Sequence, residues 1–600
     1  MYGWTGKILE ISLNDKSYQE KNLSKSYYLK YLGGRGLGVR LFLEQADPEV
    51  QPLAAENPVI FAAGPLTGTV IPSSGRLAVI SKSPQTGTIF DSNAGGFWGA
   101  ELKKAGYDGV VIQGELDQLS RLEIDSNGVR FIEAAELKNK KASLTWDYLN
   151  KTIPEYRHIY IGPAGENLVR FSSITVGKSR NFGRGGLGSI LGSKNIKAIS
   201  IKGDKEVRIY NQEQALKIRD KAADWLEENP VTSNSMNRYG TSILVNLINE
   251  AGVLPTRNFQ ETQFASADKI SGESLESKTV SSKSSCYNCP IICSRKLKTS
   301  DGQDKSSPEY ESLGLLGANL GIDDLDKVNE LNHLCNQLGL DTISTSSVIA
   351  AYIEMAEKSL IDADISFGDG KKIEDLINMI GSREGIGNEL AEGAKEFAIS
   401  KGHPELAMQV KGLDLPAFDP RGMKGQALGY MTSNRGACHI RANMMNLEIF
   451  ADQEKIDRYS EEGKAALLIE QQDFNAILDS LIVCKFTMLA LAAGFYQEML
   501  ESVTGENFDG NFFEIGSRIW NLERMINVKA GFNREDDYLP ERFSSQGGSG
   551  PSKDSLVDQD KLLDEYYDLR GWDRSGRPGV KIIANLNLRE IAHKIELDIQ

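Results

Sequence analysis

Three cysteines, Cys286, Cys289 and Cys293, stand at C-x2-C-x3-C spacing in the stretch "CYNCPIIC", inside a run rich in Ser and Lys. Soft thiolates at such spacing hold zinc or an iron–sulfur cluster. Zinc on this scaffold takes a second knuckle, C-x2-C or H-x3-H, and no second knuckle exists here. A [4Fe-4S] cluster takes three closely spaced Cys and a distant fourth. Cys335, Cys438 and Cys484 are the candidates, and spacing alone does not choose among them. For each lone Cys the ordinary alternative is a small buried hydrophobe.

A second chemistry is anion binding. Four segments in the first 200 residues crowd glycine: "GGRGLG" (33–38), "AGPLTGT" (63–69), "NAGGFWG" (93–99) and "RNFGRGGLG" (180–188). Gly lets backbone N–H groups approach a ligand closely. Arg35, Arg76, Arg180 and Arg184 add forked donors suited to phosphate. Any one segment reads equally well as a tight turn. Together they favour an anionic, phosphate-bearing ligand. Gly183, Gly185 and Gly188 match G-x-G-x-x-G, but no clear strand leads into them and no βαβ unit is evident, so a dinucleotide fold is not expected.

The elements that must position these groups change along the chain. "KILEISL", "PVIFAAG", "RLAVISKS", "GVVIQG", "VRFIEA", "HIYIGP" and "IKAISIKG" are short strand signals bounded by turn residues. From Gln212 helical periodicity takes over, as in "NQEQALKIRDKAADWLEE" and "SSVIAAYIEMAEKSL". Soft boundaries fall near residues 208 and 411. "SSQGGSGPSKDS" (544–555) has the composition of a flexible surface loop. No fixed-period repeat is visible.

The formal charge of −15 over 600 residues argues against nonspecific nucleic-acid binding and against an anionic membrane surface. No apolar run approaches the ~20 residues of a membrane span. "MYGWTGKILEISLN" reads as a strand and turn, not as a secretory leader. A cytoplasmic protein is the expectation. Six cysteines are too few for a disulfide scaffold, so their clustering points to metal or redox use.

The ordered set "YLGGRGLG", "NAGGFWGAELKKAGYDGVVIQG", "IGPAGEN", "GRGGLGSILGSKNIKAI", "CYNCPIIC", "PEYES", "LCNQLGLDT", "RGACHIRA", "LDSLIVC" and "YYDLRGWD" resembles the tungsten-containing aldehyde ferredoxin oxidoreductase family over nearly the whole chain. The resemblance implies an α+β fold. An N-terminal β-rich, two-sheet cofactor-binding domain (1–208) precedes two mainly α-helical domains. The first of these (209–410) carries C-x2-C-x3-C, and the second (411–600) carries the fourth cluster ligand. That ligand ends a D-x-x-G-L-C motif in the family, here "DSLIVC", which makes Cys484 the fourth ligand to a [4Fe-4S] cluster. Ile482 and Val483 replace Gly and Leu.

By the same resemblance a tungsten (or molybdenum) bis-pterin, its phosphates bridged by Mg2+, is held by Arg76, Asn93, Gly95, Arg180, Asn181, Gly183 and Arg184. Asn336, Leu340 and Asp341 of "NQLGLD" join them, with Asn336 standing where the family has Asp. So do Arg435, Arg441, Asp479 and Val483. Glu311 and His439 match the catalytic pair beside the metal: a carboxylate to activate water as general base, and an imidazole to polarise the carbonyl or shuttle the proton. Glu330 and His333, one turn apart, match a pair that some members use at a homodimer interface, although a plain surface helix is the commoner reading. The implied activity is oxidation of an aldehyde to a carboxylic acid, with electrons leaving to ferredoxin or an iron–sulfur partner subunit. Alternatives are reduction of carboxylates or aromatic acyl thioesters on the same scaffold, a non-catalytic electron-transfer subunit, or a zinc-knuckle binding protein.

Overall fold

The computed structural model describes residues 1–298, 304–451 and 456–597. The N-terminal third builds two mixed six-stranded sheets among these residues. Strands β1 (Lys7–Ser12), β2 (Ser17–Asn22), β3 (Val59–Ala62), β4 (Leu77–Lys82), β5 (Ile89–Ala94) and β6 (Gly109–Gln113) form the first, in the order β2-β1-β6-β3-β4-β5. Strands β7 (Ser120–Asp125), β8 (Gly128–Glu133), β9 (Arg157–Ile161), β10 (Ile174–Val176), β11 (Arg180–Phe182) and β12 (Ile196–Ile201) form the second, in the order β11-β10-β9-β12-β7-β8. Taken from its other edge, the second order repeats the first. In each sheet the first and last strands pair in parallel, β1 with β6 and β7 with β12, and the other pairs are antiparallel. The domain is therefore duplicated in topology, although the sequence shows no repeat. Backbone pairing preserves strand order without requiring matching side chains or loop lengths.

Period-two alternation sets the layers. Leu9, Ile11, Phe61, Val79 and Ile112 of the first sheet share a core with Leu122, Ile124, Ile159, Ile161 and Ile199 of the second. Their neighbours Ile8, Ile60, Ile80 and Val111 face the opposite way, into a core shared with helices Gly34–Gln45, Lys464–Leu481 and Phe512–Lys529. The fifth strands of the two sheets, β5 and β11, come into contact. This draws the Gly-rich turns that follow them toward one region.

Two expectations are corrected here. A short strand, β11, does lead into Gly183–Gly188, and helix Leu187–Ser193 follows it. Yet β10 and β9 separate β11 from β12, and the alternating antiparallel pairs run β11 and β12 in opposite senses, so no dinucleotide-type βαβ unit forms. Nor is 544–555 a free loop. Thr262 N–H donates to Ser549 Oγ (2.9 Å), and the buried Ser552 donates through Oγ to Gly252 O (2.7 Å). The small polar side chains that make it look flexible are the ones that tie it down.

Beyond residue 208 helices dominate, including Leu325–Leu338, Thr342–Glu357, Lys464–Leu481 and Phe512–Lys529. No helix among the described residues is long and apolar enough to cross a membrane.

Candidate functional site

The cysteine stretch is the loop of a β-hairpin: Val280–Ser284 pairs antiparallel with Ser294–Lys298. Asn288 (φ 48°) and Ile292 (φ 53°) take left-handed backbone inside the loop. Main-chain bonds dock it on the N-terminal domain. Tyr287 N–H donates to Gly96 O (3.1 Å), Ser73 N–H to Asn288 O (2.7 Å), and Asn288 Nδ2 to Val70 O (2.7 Å). Ser73 Oγ lies 3.3 Å from Cys289 Sγ. Cys484 arrives from helix Lys464–Leu481, its N–H donating to Ser73 O (3.3 Å). The turn that delivers it puts Ile482 at φ 62°, where Gly is relaxed and a β-branched residue is strained.

All four thiols line one cavity of about 840 Å³. Cys335 is fully buried in the helical core, and Cys438 lies against Arg435; neither lines this cavity. Burial pushes the Cys293 thiol up, with Glu309 adding to it, and burial likewise raises Cys484, where Cys289 and Cys286 contribute. Cys293 and Cys484, whose ionisation is opposed by burial and by neighbouring thiols, need a shared cation to become thiolates. The donor set fits an iron–sulfur cluster.

Glu311 and His439 line the same cavity. Ala417 N–H holds Glu311 Oε2 at 2.8 Å, which leaves Oε1 facing His439 Nε2 at 3.5 Å. Phe418 supports the imidazole, ring centroids 5.5 Å apart, and Tyr310 backs Phe418. The separation would suit an ion pair, but the electrostatics favour two neutral groups. Burial lifts the Glu311 carboxyl to about 8. Burial, with Arg184, Arg435 and Lys485 around it, lowers His439 to about 3. Glu311 Oε1 and His439 Nδ1 have no hydrogen-bond partner among the described residues. Orphaned polar atoms of this kind mark a place where another group belongs.

Behind this pair lies a buried ion network. Arg441 donates from Nη1 to Asp479 Oδ2 (2.5 Å) and also pairs with Asp91. Lys485 Nζ reaches Asp479 Oδ2 (3.1 Å), and Arg35 reaches Glu523 (2.6 Å) and Asp479 (3.4 Å). Arg435 donates to Asp91 O (2.5 Å) and to Cys438 Sγ (2.9 Å), leaving its buried Nε unpartnered. Although burial opposes ionisation, Arg441, Arg35 and Arg435 hold Asp91 well below the usual carboxylate range. Asp479 is also lowered: Lys485 and Arg441 overcome its burial. Burial would raise the Cys438 thiol, yet Arg435, Arg441 and Arg184 bring it below its ordinary value. Arg184 is fixed by the carbonyls of Ala437 (2.9 Å) and Asp414 (2.5 Å). Arg76 and Arg180 line the cavity with no ion pair among the described residues. With Lys485 they make one side of the cavity cationic, which fits an anionic cofactor.

Two turns occupy equivalent places in the two sheets. Asn93 and Gly95 close the fifth strand of the first sheet; Asn181 and Gly183 close that of the second. Asn93 Nδ2 is buried without a partner among the described residues. A Cβ on Gly95 would stand 2.5 Å from Cys286 Sγ, whereas one on Gly183 would meet nothing within 4 Å. Not every expected contact gathers here. Asn181 Nδ2 donates to Asn336 Oδ1 (2.9 Å), and both line a separate cavity of about 380 Å³. Asp341 caps helix Thr342–Glu357 through the N–H groups of Ile343 and Ser344. Leu340 and Val483 are buried core side chains. Glu330 is bonded to Lys327 (2.5 Å) on its own helix. Asp91, Glu523 and Lys485 were not foreseen as part of the site, while Arg35, read as a phosphate donor, and Cys438, read as a candidate cluster ligand, enter it as partners of Glu523 and Arg435. Arg35 and Asp91 lie in or beside quoted Gly-rich segments, and Cys438 and Lys485 adjoin His439 and Cys484. Glu523 carries no local signal.

Family models described as aldehyde ferredoxin oxidoreductase match the chain, the N-terminal domain over residues 8–203 and domains 2 and 3 over 217–588. The tungsten-containing aldehyde ferredoxin oxidoreductase of Pyrococcus furiosus is 40% identical over 603 residues, covering 98% of this chain and 100% of its own. The protein of the same name from Thermococcus kodakarensis is 41% identical over 590 residues, covering 96% and 98%. Among solved structures, the active site complex BamBC of benzoyl coenzyme A reductase with 1,5-dienoyl-CoA superposes over the full length of both chains with a TM-score of 0.86. At 22% identity that likeness speaks for the fold alone.

Proposed function

Because the chain belongs to the aldehyde ferredoxin oxidoreductase family, we propose that it oxidises an aldehyde to a carboxylic acid at a tungsten (or molybdenum) bis-pterin centre. Electrons leave through a [4Fe-4S] cluster to ferredoxin. The observation that carries this reading is the single cavity lined by Cys286, Cys289, Cys293 and Cys484 together with Glu311 and His439. A pure relay needs the four thiols but not the pair. The unit 1–208 would supply the cofactor saddle, 209–410 the cysteine hairpin and 411–600 the fourth ligand.

Arg76, Arg180, Arg184, Arg435 and the Asn93–Gly95 and Asn181–Gly183 turns would hold the pterins and the Mg2+ that accompanies them. When bound, the metal centre supplies a two-electron acceptor and the cluster a one-electron outlet. The chain's own residues manage protons and orientation. At neutral pH Glu311 keeps its proton, and with Oε1 3.5 Å from His439 Nε2 a small approach would turn that proton to Nε2 and leave the imidazole proton on Nδ1. From Nδ1 it can be donated to a carbonyl oxygen, polarising the carbon that water attacks. Ala417 N–H keeps the carboxyl from turning away. Oxidation of the aldehyde consumes one water and releases two electrons and two protons. Glu311 thus serves as proton holder below about pH 8, and the general-base role expected for its carboxylate belongs above that pH.

Anaerobic purification with tungsten, molybdenum, iron and pterin analysis tests the reading, followed by a dye-linked assay over aliphatic, aromatic and sugar-derived aldehydes. Protein that carries the cluster but neither tungsten nor molybdenum would leave only an electron relay.

A further inference from the structure

One face of a chain whose formal charge is −15 gathers basic side chains. A groove of about 250 Å³ runs from Phe97 past Arg157, Lys178 and Lys296 to Ser285, the residue before Cys286. An adjoining groove of about 380 Å³ shares Lys178 and Lys296 and adds Lys305. Among the described residues Asp147 is the one carboxylate in either lining. Arg157, Lys178, Lys296 and Lys305 form no ion pair among the described residues. Phe97 is 44% exposed, with the Arg157 guanidinium 5.6 Å from its ring centroid and Tyr287 set edge-on at 6.3 Å. An exposed aromatic beside Arg is the composition of an interface anchor. The groove also adjoins the cysteine loop. Tyr287 N–H is bonded to Gly96 O, and Gly95 packs on Cys286 Sγ. A thin layer of backbone therefore separates the groove from the thiols.

We propose that this basic groove is the docking face on which a small acidic iron–sulfur protein collects electrons, one at a time, by way of Cys286. The inference rests on the functional reading above, because it needs a cluster at the four thiols. Local positive potential on an acidic molecule steers an acidic partner to one place, and it orients that partner with its own cluster toward the exit.

The test uses the holoenzyme, a purified acidic ferredoxin and benzyl viologen as an acceptor too small to need a docking face. Ferredoxin binding is measured by titration, and aldehyde oxidation is followed with each acceptor. K178E/K296E and, separately, F97A are expected to raise the KM for ferredoxin by about tenfold and to weaken its binding in parallel. Benzyl viologen reduction should stay unchanged. The wild-type KM for ferredoxin should rise with ionic strength, and that dependence should flatten in the charge-reversed variant. Unchanged ferredoxin binding and KM in both variants would overturn the proposal, as would charge reversal that splits a dimer of this chain. Equal loss with both acceptors would overturn it too. A wild-type holoenzyme active with the dye but unable to bind ferredoxin sinks the docking face alone. One inactive with the dye as well sinks the functional reading and the docking face together.

Discussion

Glu311 Oε1 and His439 Nε2 stand 3.5 Å apart, and the surroundings keep both groups uncharged at neutral pH. Burial raises the acid and lowers the base, so the proton stays on Glu311 instead of passing to His439. Chemistry at this pair should follow the carboxyl, which titrates last.

The pH profile tests that assignment. Below about pH 8 Glu311 is protonated and can support His439; above it the carboxyl ionises and the support is lost. The value of kcat/KM should therefore fall as pH rises through about 8. E311Q keeps a donor that cannot titrate, so its profile should be flat there, at a rate within about tenfold of wild type. E311A should lose about 10²-fold or more. A rate that climbs through pH 8 in the wild type would make the carboxylate the general base instead.

The four cavity thiols predict an asymmetry among the six cysteines. C484S should lower iron from about four to three or fewer per chain and bleach the brown colour. C335S should retain the iron, since Cys335 is enclosed in the helical core. Full iron in C484S would remove Cys484 from the ligand set.

Gly95 and Gly183 occupy equivalent turns but different surroundings. G95A places a methyl group against Cys286 Sγ and should reduce iron content even when pterin is bound. G183A meets nothing within 4 Å among the described residues, so it should fold with wild-type stability and normal iron. If the open space at Gly183 belongs to a pterin, G183A should lower pterin content. Normal pterin content there would place the cofactor elsewhere.

Asp479 is the hub between Arg441, Lys485 and Arg35. D479N leaves these buried cations under-compensated and should destabilise even metal-free protein by about 3–5 kcal/mol, read as a lower guanidinium midpoint. An unchanged midpoint with diminished pterin would mean that Asp479 acts through the cofactor alone.

The cysteine trio, the Gly/Arg segments and the change from strand to helical texture near residue 208 are legible in the chain because each depends on neighbours a few residues away. Spacing could not separate Cys484 from Cys335 and Cys438, and nothing local distinguishes Glu311 from a helix-capping Glu. Resemblance to a family named those residues. It could not say that Glu311 would hold a proton at neutral pH, because that shift comes from burial, with Asp341 and Cys438 adding to it, and outweighs the opposing pull of Arg184 from a different sheet-bearing segment.

What the amino-acid order determined by itself was the inventory: soft sulfur ligands at cluster spacing, glycines and arginines suited to an anion, and an acidic overall charge. Tertiary structure alone decided which groups share a cavity. It also joined two sheets of the same strand order, a duplication carried by backbone pairing and invisible in side chains. It anchored 544–555 through serines whose composition suggests freedom. It gathered Arg157, Lys178 and Lys296 onto one face of an acidic molecule. The physical reason is common to all of these. Ligand type and backbone preference are local properties, whereas burial, pairing and electric field are sums over residues that only the folded chain brings together.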